Sequence, residues 1–118
     1  MLPEDYPEIS PQALDEKLRQ QTPFCLLDVR ELSEVDRAQI RDWRTVVIPL
    51  SRLAREGEQA FPPELLEREL AFVVICHHGL RSMRVTQWMR SQGWKNVLSL
   101  AGGIDAYARQ IDPALGFY

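Results

Sequence analysis

Cysteine, lysine and long apolar runs are scarce in this chain, and each scarcity excludes something. Two cysteines in 118 residues, Cys25 and Cys76, are too few for a disulfide scaffold, so both read as single thiols. The stretch Met1-Leu2-Pro3-Glu4-Asp5-Tyr6 lacks the charged-then-apolar pattern of a signal peptide, which makes the reducing cytoplasm the expected compartment. No apolar stretch approaches the roughly 18 residues that a membrane span requires. Lysine supplies only two of the 14 basic residues, a bias that carries no functional inference. A net charge of −3 is the wrong sign for non-specific nucleic-acid binding. An anionic substrate would therefore depend on local positive potential, not on the field of the whole molecule. With 45% hydrophobic and 26% charged residues the composition is that of an ordinary globular protein. The length suits one domain over residues 1–118 with a single core.

Short apolar runs alternate with helical patterns. Ser10-Pro11 sets a capping serine before proline at the first helical position, and Leu14 and Leu18 continue the helix until Thr22-Pro23. Phe24 to Val29, interrupted only by Asp28, reads as a strand buried on both faces. A polar helix is expected from Glu31 to Ile40, and a second buried strand over Thr45-Val46-Val47-Ile48, ending at Pro49. Ser51 is expected to cap a short helix reaching Glu56, and Pro62-Pro63 to open another running to Glu69. Ala71 to Ile75 forms the third strand. The helix after it, expected from Met83 through Gln92, has Val85, Trp88 and Met89 on one face and Gly93 as its cap. Asn96 to Leu100 is the fourth strand, and Gly102-Gly103 turns into a last helix ending near Gln110. Strands alternating with helices imply an α/β fold, a central parallel sheet flanked by helices on both faces.

Ligands of such folds sit outside the carboxyl ends of the strands. There the third strand delivers Cys76-His77-His78-Gly79-Leu80-Arg81-Ser82 to the mouth of a helix. The first N–H groups of a helix lack internal partners and favour an anion, so a thiolate, a persulfide or an anionic substrate is stabilised in such a place. Gly79 permits a tight loop whose amides point inward as an anion nest. Against this stands the ordinary fate of a free cysteine, a small hydrophobe ending a strand. On physics alone the two readings stand level. Lowering a thiol's pKa enlarges the thiolate fraction but weakens the nucleophile, so most of the gain cancels. A loop of this kind acts chiefly by orienting its substrate and stabilising charge.

Arg81 can hold a sulfonate or phosphate oxygen beside the thiolate, or pair with a surface carboxylate. His77 and His78 are expected to line the pocket mouth and influence substrate charge. A metal is not expected there, because neighbouring histidines in a tight loop point in different directions and no second ligand cluster is visible. No cofactor is implied. Asp28 and Arg30 read as a structural ion pair, Cys25 as a core residue, and Trp43, Trp88 and Trp94 as packing residues.

Three blocks together resemble a single-domain rhodanese. Leu26-Leu27-Asp28-Val29-Arg30-Glu31 with Ile48-Pro49-Leu50 is similar to the family's N-terminal motif, Cys76-x-x-Gly79-x-Arg81-Ser82 to its active-site loop, and Gly93-Trp94-x-x-Val97-x-x-Leu100-x-Gly102-Gly103 to its C-terminal motif. The resemblance implies a sulfurtransferase, thiosulfate sulfurtransferase-like. Sulfane sulfur would pass from a donor such as thiosulfate or a persulfide to a thiophilic acceptor through a persulfide on Cys76. It makes Cys76 the nucleophile, the backbone from His77 through His78, Gly79, Leu80 and Arg81 to Ser82 the substrate cradle, and Arg81 the residue closing the loop.

Related phosphatases have five residues between cysteine and arginine, whereas four intervene here, the sulfurtransferase length. Ala38-Gln39-Ile40 stands where many relatives carry Gly-His-Ile, and two histidines occupy loop positions where some thiosulfate-using relatives have lysine or arginine. The ending also resembles rhodanese domains fused behind adenylyltransferases of sulfur-carrier pathways. The implied partners are a small anionic sulfur donor and a sulfur-carrier or persulfide-donating protein, with no nucleic acid and no membrane. A non-catalytic rhodanese-like binding or regulatory module is the rival reading, and a phosphatase or arsenate reductase the third.

Overall fold

The computed structural model describes residues 6–118; the acidic stretch from Met1 to Asp5 lies outside them. The strands are β1 (Glu8–Ile9), β2 (Cys25–Asp28), β3 (Thr45–Val47), β4 (Ala71–Ile75) and β5 (Asn96–Leu100). They form one sheet in the order β1-β5-β4-β2-β3, with every pair parallel. The helices are α1 (Pro11–Arg19), α2 (Leu32–Val35), α3 (Leu50–Glu56), α4 (Leu80–Ser91) and α5 (Gly103–Gln110). None is long and apolar enough to cross a membrane among the described residues.

The central strands are apolar on both faces, and their side chains divide strictly between two cores. Phe72 and Val74 of β4, with Cys76 just after it, join Cys25 and Leu27 of β2 on one face, beneath Leu53 of α3 and Val85 and Met89 of α4. Val73 and Ile75 join Leu26 on the other, beneath Leu14 of α1 and Ile104 and Tyr107 of α5. This alternation is the period-two geometry of a strand, and it explains why the runs read as continuously hydrophobic. Helix α1 starts as expected, with Ser10 Oγ accepting the Ala13 N–H at 3.1 Å ahead of Pro11.

Several local expectations are corrected. A fifth strand exists: β1 is only two residues long and pairs at the sheet edge with Ser99 and Leu100, a contact without a hydrophobic run to announce it. β3 is a half-buried edge strand, not a buried one. The helix expected over 31–40 is the single turn α2. Ala38 and Ile40 both enter the core under α1 and α5, and at a spacing of two a helix would turn them to opposite sides. Pro62-Pro63 opens only a 3₁₀ turn, Pro63–Leu65. Ser51 lies inside α3 and does not cap it; Glu31 reaches across to accept from the Ser51 amide at 3.3 Å and hydroxyl at 2.8 Å. Trp94 is buried and Trp88 packs against the same core, but Trp43 is 73% exposed.

The topology places the site. From β2 the chain moves outward to β3, then returns past β2 to β4 and continues to β5 on the other side. The carboxyl ends of β2 and β4 therefore flank the switch point of the sheet, where a crevice opens in folds of this type.

Candidate active site

Cys76 follows directly on β4 and is 1% exposed. Its Sγ accepts the backbone N–H of Gly79 at 3.1 Å and of Ser82 at 3.2 Å. The thiol in turn donates to Ser82 Oγ at 3.4 Å, which shares a 2.7 Å hydrogen bond with Ser99 Oγ of β5. Inward amides require the loop's carbonyls to face outward, and α5 receives them. Ile104 N–H donates to the Cys76 carbonyl at 2.9 Å and Asp105 N–H to the His77 carbonyl at 3.1 Å. These are orphan donors of the first turn of α5, so one helix end is satisfied by the loop and the loop is oriented by the helix.

Two glycines make that approach possible. Gly103, at φ +65°, lies so close that a Cβ would sit 2.3 Å from the His77 carbonyl oxygen. Gly79, at φ +96°, turns the loop into α4 in a conformation other residues rarely adopt. Helix α4 begins at Leu80, three residues before the expected Met83, because Gly79 completes the turn. Arg81 and Ser82 thus sit on its first turn, and the Ser82 amide that meets the sulfur is one of that turn's unpaired donors.

The remaining predicted residues divide. The Leu80 side chain is 77% exposed. Arg81 is not a free cation: its Nη1 and Nη2 donate to the two carboxylate oxygens of Glu34 at 2.7 and 2.8 Å. Glu34 lies on α2, beyond the carboxyl end of β2, and also accepts the Glu31 N–H at 3.0 Å and the Tyr118 hydroxyl at 3.4 Å. Hydrogen bonds from Arg81 above all, with the Glu31 amide and the nearby charges, hold the Glu34 carboxyl down at about 2 against the opposing effect of burial. The pairing raises Arg81 further above its already high value. Asp28 and Arg30 are a buried structural pair, as expected, with Nη2 to Oδ2 at 2.7 Å. Arg30 also donates to the Tyr118 hydroxyl at 3.1 Å.

The histidines overturn one expectation. Their rings do not point apart but stack at 3.8 Å between centroids, and His77 stacks equally on Tyr118 on its other face. Burial, then the charge of His78, pushes the His77 pKa down, and its Nε2 is buried without a partner among the described residues. His77, His78 and Asp105 bring one potential ligand atom each within 4.8 Å of one another. Nearly parallel rings direct in-plane lone pairs side by side instead of toward one point, and Asp105 already accepts from Arg109 at 3.0 Å. The three groups as placed are therefore neighbours, not a coordination shell.

Cys25 is not a partner for Cys76. It pairs in register with Phe72, four residues and roughly 13 Å back along β4. Burial in the core pushes its thiol up to about 12. Glu34, Ser99, Asp105 and Tyr118 were absent from the residues the sequence singled out for the site. Only Glu34 left a signal, as the third residue after Glu31 in a pattern that favours a helix start.

The arrangement suits a sulfur nucleophile that carries charge. Two fixed amides and a hydroxyl surround Sγ, at a distance set by backbone and not by flexible side chains.

Comparison with known proteins gives the same frame. The family model described as "Rhodanese-like domain" matches residues 10–110. A putative sulfurtransferase of Bacillus subtilis, YtwF, is 34% identical over 106 residues, covering 90% of this chain and 94% of that protein. The rhodanese-like/PpiC domain-containing protein 12 of Arabidopsis thaliana, chloroplastic, is 35% identical over 96 residues, which are 79% of this chain but 30% of the relative. A putative sulfur carrier protein of Bacillus subtilis, YrkF, is 34% identical over 83% of this chain and 49% of its own length. The chain thus spans half or less of two of these three relatives. Among solved structures, a rhodanese-related protein of Thermoplasma volcanium superposes with a TM-score of 0.72 at 30% identity, covering 90% of this chain and 94% of the other.

Proposed function

This chain belongs to the rhodanese-like domain family, whose named members include sulfurtransferases, and from that premise we propose that it transfers sulfane sulfur through a persulfide on Cys76. The observation that carries the reading is the pair of amides, from Gly79 and Ser82, converging on Cys76 Sγ at the switch point of the sheet. The Cys76 thiolate attacks the outer sulfur of the donor. The bond between that sulfur and the rest of the donor breaks, and its electron pair leaves with sulfite, from thiosulfate, or with a thiolate, from a persulfide. The product is Cys76–S–S⁻, or its protonated form, and no oxidant or reductant is consumed. An acceptor nucleophile then attacks the outer sulfur and returns the Cys76 thiolate.

The cradle serves both half-reactions, because amides fixed by α5 favour negative charge on sulfur without reorganising. Four residues separate Cys76 from Arg81, a ring that fits sulfur better than a tetrahedral phosphate. The reading includes a carrier or persulfide-donating protein as partner, supported by the relative named as a sulfur carrier. It places the chemistry in the cytoplasm, in keeping with two unbridged cysteines.

Mass spectrometry after incubation with thiosulfate or glutathione persulfide tests it. Wild type gains one sulfur atom on Cys76, and Cys76→Ser gains none and loses transfer to cyanide. Absence of the added sulfur with every donor would sink the reading.

A further inference from the structure

Resting on the sulfur-transfer reading, we propose that Glu34 determines donor choice: by occupying Arg81 it turns the site against donors that end in a sulfonate and toward persulfides. Thiosulfate is a small dianion, and sulfite leaves from it with the whole charge. To be held and to depart easily it needs a cation at the mouth of the cradle. Arg81 is the one guanidinium on the loop, and both of its terminal nitrogens are committed to the carboxylate oxygens of Glu34. Together the two side chains are neutral.

Two other candidates for that cation are withdrawn as well. Arg30 is fully buried and bound to Asp28. The ring of His77 lies between those of His78 and Tyr118, with burial disfavouring its charged form. Asp105 adds a second carboxylate close to the histidines. A sulfonate arriving here meets Glu34 across the guanidinium and must displace it to gain an anchor. A persulfide makes no such demand. Its outer sulfur lodges against the amides of Gly79 and Ser82, and its inner sulfur departs as a thiolate bearing a single charge.

Glu34 acts through Arg81 and is a positioning residue. It is held in place by more than Arg81: the Glu31 amide and the Tyr118 hydroxyl also donate to it. Glutamine can keep the Glu31 contact while losing the charge, so Glu34→Gln is the informative substitution.

The experiment compares kcat/KM for thiosulfate with that for glutathione persulfide, using cyanide as acceptor. Wild type prefers the persulfide by at least about tenfold, and Glu34→Gln raises the thiosulfate-to-persulfide ratio by about tenfold, the worth of one charged hydrogen bond. The change falls on the KM for thiosulfate, and it disappears in Glu34→Gln/Arg81→Gln. A merely structural Glu34 would lower stability and both activities together, leaving the ratio unmoved; that result overturns the proposal. So does a wild type that uses both donors equally, which needs no variant to detect. Cys76 that takes up sulfur from either donor with an unmoved ratio removes only the role of Glu34, whereas no sulfur uptake at all removes the transfer reading with it.

Discussion

At the scale of single residues, two cysteines on the same sheet face have opposite surroundings because of where the backbone leaves each sulfur. Cys76 Sγ meets two amide donors at the end of β4, while Cys25 lies inside β2 among apolar side chains that push its pKa up to about 12. A thiol of that kind neither attacks nor resolves a persulfide at neutral pH. Cys25→Ala is expected to retain sulfur transfer at wild-type rate and to lose about 1 kcal/mol of stability from the small cavity. Activity assays alongside denaturant titration separate the two effects; a variant that forms but cannot discharge its persulfide would give Cys25 a catalytic role. Arg81 teaches the complementary lesson. Its position five residues after Cys76 was visible in the sequence, but its state as half of a neutral pair was not.

At the scale of elements, the site depends on α5 as much as on the loop that bears the cysteine. The amides of Ile104 and Asp105 hold the Cys76 and His77 carbonyls and so turn the loop's own amides toward the sulfur. Gly103 is the hinge of that arrangement. In Gly103→Ala the methyl group would fall 2.3 Å from the His77 carbonyl oxygen, at a backbone angle of φ +65° that alanine resists. Together the clash and the strained angle are expected to cost about 3 kcal/mol. Because α5 must withdraw, persulfide formation on Cys76 should slow even below the melting temperature. Thermal unfolding and the rate of sulfur uptake measure the two; a variant that is destabilised yet takes up sulfur at the wild-type rate would show that α5 does not set the cradle. The single turn α2 matters for the same reason, since it carries Glu34 from the end of β2 to the first turn of α4.

At the scale of the whole molecule, the same ion pair couples the site to acid stability. The Glu34 carboxyl is lowered from an ordinary 4.5 to about 2, so the folded state releases its proton more readily than the unfolded state. A group lowered on folding stabilises above its unfolded pKa and loses that contribution as the pH falls through the folded one. The melting temperature of wild type is therefore expected to fall more steeply than that of Glu34→Gln between about pH 4.5 and about pH 2, with the difference between them constant at higher pH. The lowered carboxyls of Asp42 and Asp105 contribute to acid unfolding in both proteins and cancel in the comparison. Melting curves across this range decide it: parallel curves would mean that Arg81 contributes no net stability through Glu34.

What the sequence determined by itself is what short-range patterning can specify. The run from Ala71 to Ile75, the cysteine at its end and the glycine that turns it into a helix are neighbours in the chain. The motif and the alternation of apolar runs with helices were therefore legible without coordinates, and so were the parallel sheet and the place of Cys76 at its carboxyl edge. Tertiary structure decided everything that joins distant segments. Glu34 and Arg81 are 47 positions apart, and Arg30 and Tyr118 are 88 apart. β1, too short to carry a pattern, exists because β5 offers it an edge. Arginine and glutamate have long side chains that can reach many partners, and burial and topology choose one. The sequence thus located the proposed nucleophile, whereas the fold set the charge around it.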